Sequence, residues 1–281
     1  MNMTDLILTE KTEGILTLTI NRPEKKNAVT NEMYTGLCQG FTEAARAAKI
    51  KVVLIKGSGG VFTSGNDLKE FSIFIQNPGQ FKEFRAFHLM KQLIGFPKPV
   101  VAAVNGLAVG FGTTILLHCD AVVAGRSAMF SLPFVKLGLV PEFASSYALP
   151  LMAGRVRACH VLMLGEPFGV EEARQMGIVS LVCEDGDVEA KALAICQQFV
   201  NLPTRTLRTI KGLINPPERQ EKMSMVLDEE MRLFQEGLTS AEHREAVAAF
   251  LKSVSRIFQS LINRCFSWSD SKRWHCALIF T

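Results

Sequence analysis

KPVVAAVNGLAVGFGTT, residues 98–114, is the stretch on which the reading of the fold turns. Lys98-Pro99 opens the apolar run Val100–Val104, which reads as a short buried strand. Asn105-Gly106 is a turn signal, and Gly110 and Gly112 lead into a short helix over about 112–118. Ala121–Ala124 follows as another strand. Val100–Leu117 carries no charge, so its length alone is borderline for a membrane span. The Asn-Gly turn, the glycines and Asp120 just beyond favour a buried strand–turn–helix, and no span is expected.

The same order appears upstream. Residues 6–20 alternate, with Ile15, Leu16, Leu18 and Ile20 among threonines and a turn at Glu13-Gly14, as in a β-hairpin. Thr30 is placed to cap a helix whose apolar stripe is Met33, Leu37, Cys38, Phe41, Ala44, Ala45 and Ala48. Val52–Ile55 is a strand stopped by Gly57-Ser58-Gly59-Gly60. Short strands alternating with helices predict parallel pairing in an α/β domain. Beyond Glu142 the pattern turns helical, over 143–164, 169–176, 187–200, 203–214, 218–236 and 239–252, with one strand at Ile178–Cys183. Met223, Val226, Leu227, Met231 and Phe234 form an apolar stripe suited to covering a core or making an oligomer contact.

Composition removes other classes of function. The 281 residues hold 48% hydrophobic and 21% charged side chains, enough for a sizeable core and unlike a disordered chain. The net charge of +4 includes no block of like charges, so a nucleic-acid partner is not expected. Seven cysteines show no CxxC pair and five histidines are scattered, which points to reduced thiols and no metal site. The first residues lack a basic segment followed by an apolar one, so no secretory signal is expected.

Three places carry candidate chemistry. Phe62-Thr63-Ser64-Gly65-Asn66-Asp67-Leu68 sets a glycine before a helix start, where backbone N–H groups can face a ligand and Asp67 can cap the first turn. Asn105–Thr114 is a second glycine-rich strand-to-helix turn. Two such N–H groups aimed at one oxygen would make an oxyanion hole, while either loop alone is equally read as tight packing. Neither matches a GxxxxGK[ST] or GxGxxG phosphate loop. The third place is Glu142, set among Leu139, Val140, Pro141, Phe143 and Ala144. Apolar surroundings raise a carboxyl pKa toward that of a useful base, whereas a Pro-Glu pair before a helix is also an ordinary first-turn acid.

Together these stretches resemble the enoyl-CoA hydratase/isomerase (crotonase) superfamily over about residues 5–252. The likeness is carried by Asn21-Arg22-Pro23 with Asn27-Ala28, by Phe62–Leu68, by Lys98–Gly106, and by Gly110-Phe111-Gly112, Cys119-Asp120 and Gly177-Ile178-Val179 in that order. It implies a crotonase-like spiral of repeated ββα units (residues 1–200) and C-terminal helices that form a homotrimer or dimer of trimers (201–252), with an atypical tail at 253–281. It also implies an acyl-CoA thioester as substrate and no cofactor. The thioester oxygen would sit between the N–H groups of Asn66 and Phe111, and the CoA would run along Ser64, Gly65, Asn66, Asp67 and Leu68. Arg22, Lys25 or Lys26 would neutralise CoA phosphates, and Phe71, Phe74, Phe84 and Phe87 would line either an acyl pocket or the core.

The departures from the family's hydratases narrow the expected reaction. Where hydratases carry their two glutamates this chain has Thr114 and Phe134, and neither can activate water or supply a proton well. Pro141-Glu142-Phe143-Ala144-Ser145-Ser146-Tyr147 is similar to the catalytic segment of peroxisomal-type Δ3,Δ2-enoyl-CoA isomerases. That likeness makes Glu142 the expected acid/base, in a reaction serving fatty acid β-oxidation. The alternatives are a non-catalytic acyl-CoA-binding module and another crotonase-type reaction using Asp67 or Glu70. The compartment expected is the cytoplasm for a bacterial protein, or else a peroxisome or mitochondrion, without a Ser-Lys-Leu-type ending. Ser253–Thr281 has four basic residues against one acid, so this tail carries +3 of the +4, together with both tryptophans.

Overall fold

The computed structural model describes residues 6–67, 69, 70 and 84–249. β1 (Ile7–Thr12) and β2 (Ile15–Ile20) form the antiparallel hairpin, joined by Glu13 and Gly14 at φ 50° and 86°. Two central residues with positive φ give the turn twist that matches two strands joined this tightly. From β2 onward every pairing in the sheet is parallel, in the order β2, β3 (Val52–Gly57), β4 (Val100–Val104), β6 (Ala121–Gly125) and β9 (Leu181–Cys183). A second, smaller sheet holds β5 (Leu107–Val109), β7 (Met129–Ser131) and β8 (Phe168–Gly169).

The two sheets grow together, one layer per turn of the chain. β3, β4 and β6 each leave the large sheet through a short bend, and the chain then lays a segment in the second layer. After β3 that segment is Thr63, paired with Ala108 of β5, and β5 in turn pairs with β7. The bends stack on one another. A Cβ placed on Gly106 (φ 59°) would lie 2.6 Å from the carbonyl oxygen of Gly60 in the bend below, so only glycine fits. This repeated strand–bend–strand–helix course is the crotonase spiral.

The central strands β3, β4 and β6 of the large sheet are buried on both faces, which is why they read as unbroken apolar runs. Val52, Leu54, Val101, Ala103 and Val123 face α7 (Val188–Val200) through Val188, Ala192, Cys196 and Val200. Val53, Ile55, Val100, Ala102 and Val104 face the other way, into the core shared with α1 (Asn31–Arg46) and α2 (Arg85–Ile94). Thr30 caps α1, its Oγ1 accepting from Met33 N–H at 3.3 Å.

Several expected elements differ in extent. The helix over 112–118 is one α-turn, α3 (Phe111–Thr114), tightening into a 3₁₀ turn at Ile115–His118. The helix over 143–164 is two, α4 (Ser145–Ala153) and α5 (Arg155–Leu164), broken at Gly154, whose φ of 79° no helix accepts. Its start is delayed because Phe143 and Ala144 both adopt left-handed conformations, at φ 61° and 53°. The strand at Ile178–Cys183 shortens to Leu181–Cys183, because Gly177 (φ 77°) and Ile178 close α6 (Val170–Gln175). α8 (Thr204–Ile214) and α9 (Pro217–Leu238) complete the helical half, and residues 241–249 are helical as well. Among the described residues no helix is long and apolar enough to cross a membrane. Leu68, Phe71, Phe74 and the 253–281 tail lie outside the described residues.

Candidate active site

The first glycine loop is held by Asn27, fully buried and at φ 56°. Its side-chain amide donates to the carbonyls of Ser58 (2.9 Å) and Val61 (2.6 Å), and its Oδ1 accepts from Arg22 N–H at 2.8 Å. Its own carbonyl accepts from Thr63 Oγ1 at 2.6 Å, and that oxygen accepts from Gly65 N–H at 3.0 Å. The buried amide is thus the hub that fixes the loop ahead of Asn66. Sequence alone gave Asn27 only as part of a motif.

The second loop lies against the first. Thr63 N–H donates to Leu107 O (2.9 Å) and Val109 N–H returns to Thr63 O (3.1 Å). A Cβ on Gly65 (φ 90°) would stand 2.8 Å from Val109 O and 4.0 Å from Gly110 N, so the two loops touch where Gly65 has no side chain. At Asn66 the parallel bridge to Val29 uses Val29 N–H to Gly65 O and Asp67 N–H to Val29 O, both 2.8–2.9 Å. The Asn66 N–H takes no part in that bridge. Phe111 N–H is the first donor of α3, where no intrahelical carbonyl is available to it. The fold therefore brings the two expected N–H donors to neighbouring loops.

Tyr34 joins these loops and was not singled out from sequence. It is fully buried on α1, and its hydroxyl donates to Asn66 Oδ1. Its ring packs edge-on against Phe111, with centroids 4.8 Å apart, and against Phe84 at 5.6 Å. Phe84 is buried, and Phe87 is a partly buried neighbour of the same core.

Glu142 is 1% exposed and lies at this junction. The Asn66 side chain hydrogen-bonds to it, and Thr114 Oγ1 donates to its Oε1 at 3.5 Å. Thr114, at one of the two positions where hydratases carry a glutamate, is thus a neighbour of Glu142. Burial pushes the Glu142 carboxyl up from the usual 4.5 to about 8, the negative charge of Glu230 adds to the rise, and the bonds from Asn66 and Thr114 oppose it. Such a group takes and returns protons near neutral pH. Its backbone position is set by the left-handed pair Phe143-Ala144. His118 Nε2 donates to Phe143 O at 2.8 Å, with its ring stacked on Phe143 at 4.0 Å. Burial holds the His118 imidazole down at about 4, and so neutral.

Arg22, one of the three cations expected near the CoA phosphates, lies against the first loop. Its Nη1 is paired with Asp67 Oδ2 at 2.6 Å and bonded to Ala28 O at 3.1 Å, so its charge is engaged in bracing the loop. Asp67 also accepts from Lys69 N–H at 2.8 Å, as a turn-capping carboxylate does. Burial raises the Asp67 pKa, but Arg22 and the Lys69 N–H outweigh it and the group titrates below its usual range. Lys25 and Lys26 reach the loop through backbone, with Ser64 N–H donating to Lys26 O at 2.9 Å. Glu70 is committed to the N-terminus of α1, accepting from Asn31 N–H at 2.5 Å.

The model of the family described as enoyl-CoA hydratase/isomerase matches residues 10–260, and the chain belongs to that family. The Escherichia coli 1,2-epoxyphenylacetyl-CoA isomerase is 35% identical over 260 residues, covering 91% of this chain and 99% of its own length. Human enoyl-CoA delta isomerase 2 is 34% identical over 90% of this chain, which spans 64% of the human protein. Among solved structures, Pseudomonas aeruginosa OdaA superposes with a TM-score of 0.83 at 41% identity, covering 88% of this chain and 98% of OdaA.

Proposed function

We propose that this chain is a Δ3,Δ2-enoyl-CoA isomerase, converting 3-enoyl-CoA esters to 2-trans-enoyl-CoA in fatty acid β-oxidation. The observation that carries the reading is Glu142, a buried carboxylate bonded to Asn66 between the two glycine loops, with Thr114 and Phe134 at the positions where hydratases carry glutamates. Asn66 and Phe111 N–H groups hold the thioester oxygen, which lowers the cost of an enolate. Ionised Glu142 removes a proton from C2, the electron pair moves into the enolate, and the C3–C4 π bond shifts to C2–C3. Protonated Glu142 then delivers that proton to C4. One carboxylate suffices because no water is added. Ser64, Gly65, Asn66 and Asp67 line the CoA path, with Lys25 and Lys26 nearest the phosphates. No cofactor enters the reaction.

The chain assembles as a trimer or a pair of trimers through its C-terminal helices, a reading supported by Leu213, Ile214 and Met225, exposed on α8 and α9. The name of the E. coli relative favours a second reading, isomerisation of a different CoA thioester. Both are tested by offering 3-cis-enoyl-CoA, 3-trans-enoyl-CoA, 2-trans-enoyl-CoA and an aryl epoxide thioester in parallel. Conjugation of the 3-enoyl esters without hydration of the 2-enoyl ester is expected. Turnover of the epoxide alone would select the second reading, and binding without turnover of any ester would select an acyl-CoA-binding module.

A further inference from the structure

Opposite Glu142 lies a second buried carboxylate that the proposed reaction does not use. Glu230 sits on α9, 5% exposed, within the apolar stripe of Met223, Leu227, Met231 and Phe234. Its Oε2 accepts from Ala144 N–H at 2.6 Å, and its Oε1 accepts from Ser146 N–H at 3.0 Å and Ser146 Oγ at 2.5 Å. All three donors belong to the start of α4, whose own N-cap residue, Ala144, has no side chain able to cap it. Glu230 therefore supplies that cap from a distant helix. It does so immediately beside Phe143 and Ala144, two successive non-glycine residues at φ 61° and 53°. Conformations of this kind persist only where the surroundings enforce them. The peptide unit joining the pair is held on both sides, His118 donating to Phe143 O and Glu230 accepting from Ala144 N–H.

We propose that Glu230 is a positioning residue for proton transfer by Glu142, clamping the left-handed turn that presents it and keeping a negative charge behind it. The inference rests on the isomerase reading for its reaction, but not for its geometry. Burial raises the Glu230 carboxyl to about 7 and its three donors hold it from rising further, so it ionises before Glu142, and its charge then opposes ionisation of Glu142 and keeps that group basic enough to take a C2 proton. The other titratable groups about the pair stay neutral while it titrates. Tyr34, with Glu70 and Cys38 on its side, is pushed well above its usual range by burial. His118, with Lys211 and Arg219 on its side, is held down at about 4.

The test uses the full chain with Glu230→Gln, Glu230→Asp and Glu142→Gln. The carboxyl C=O band that disappears in Glu142→Gln is followed by infrared spectroscopy against pH, with no substrate present. In Glu230→Gln that band should titrate at least one pH unit lower than in the wild type, and kcat on 3-enoyl-CoA should fall at least tenfold with KM within threefold. Glu230→Asp, which keeps the charge on a shorter arm, should keep the high titration and still lose kcat. An unshifted band in folded Glu230→Gln would overturn the proposal. If Glu230→Gln does not fold, Glu230→Asp decides: wild-type kcat on 3-enoyl-CoA in the folded Asp variant would overturn the clamp, and a Glu142 band shifted down in it would overturn the charge coupling. A wild type inactive on 3-enoyl-CoA but showing these shifts would fault the substrate and uphold the role of Glu230.

Discussion

Glu142→Gln is expected to stabilise the protein, by an amount that depends on pH. A buried carboxyl raised from 4.5 to about 8 binds its proton more tightly in the folded chain than in the unfolded one. The sign follows directly: the folded state loses stability as pH rises from the unfolded pKa toward the folded one, and no more is lost above it. At about 1.4 kcal/mol per pK unit the full loss is at most about 5 kcal/mol, with mutual repulsion between Glu142 and Glu230 included in it. Glutamine keeps the size, the acceptor oxygen for the Asn66 amide, and no charge. The difference in unfolding free energy, variant minus wild type, should therefore climb by roughly 1 kcal/mol per pH unit between pH 5.5 and 7.5 and flatten above about pH 8. Urea unfolding of both proteins at half-unit intervals from pH 5 to 9 measures this. A difference constant across that range would mean that Glu142 titrates as an exposed acid, and the site's electrostatics would have to be redrawn.

Three further outcomes follow from the same contacts. Plotted against pH, kcat/KM should rise to a plateau above about 8, because the free enzyme must hold Glu142 ionised to act as base; a profile flat from pH 6 to 9 would contradict that. Tyr34→Phe removes the donor to Asn66 Oδ1, and the loss of about 1 kcal/mol of hydrogen bonding should lower kcat/KM about fivefold with KM little changed in steady-state assays. Gly65→Ala forces a Cβ to 2.8 Å from Val109 O at a φ of 90°, and should cost about 1–3 kcal/mol in denaturant unfolding together with most of the activity.

How much of this was legible beforehand depends on what each residue answers to. The loops at Gly65 and Gly110 could be read because glycine at such bends reports a local steric need that the sequence carries in itself. The large sheet could be read from its apolar runs. The left-handed pair Phe143-Ala144 could not, since neither residue type suggests it and both are held by partners far away in sequence. Tyr34 falls at a position of the apolar stripe on α1, where an aromatic looks like core, and only its hydroxyl hinted at a polar partner. Glu230 did leave a signal. It lies three residues after Leu227 and four before Phe234, on the buried face of its own helix, where a carboxylate demands donors. The pairing of Arg22 with Asp67, by contrast, left no signal, since the two residues are 45 positions apart in the chain.

The central claim is that one carboxylate, Glu142, moves the proton. It is tested most directly by single-turnover conversion of 3-enoyl-CoA by the wild type and by Glu142→Gln, with acyl-CoA affinity measured on the same samples. The account predicts binding within a few-fold of the wild type and a conversion rate lower by about 10²–10⁴, the range a general acid–base group supplies. Conversion by Glu142→Gln at the wild-type rate would contradict it.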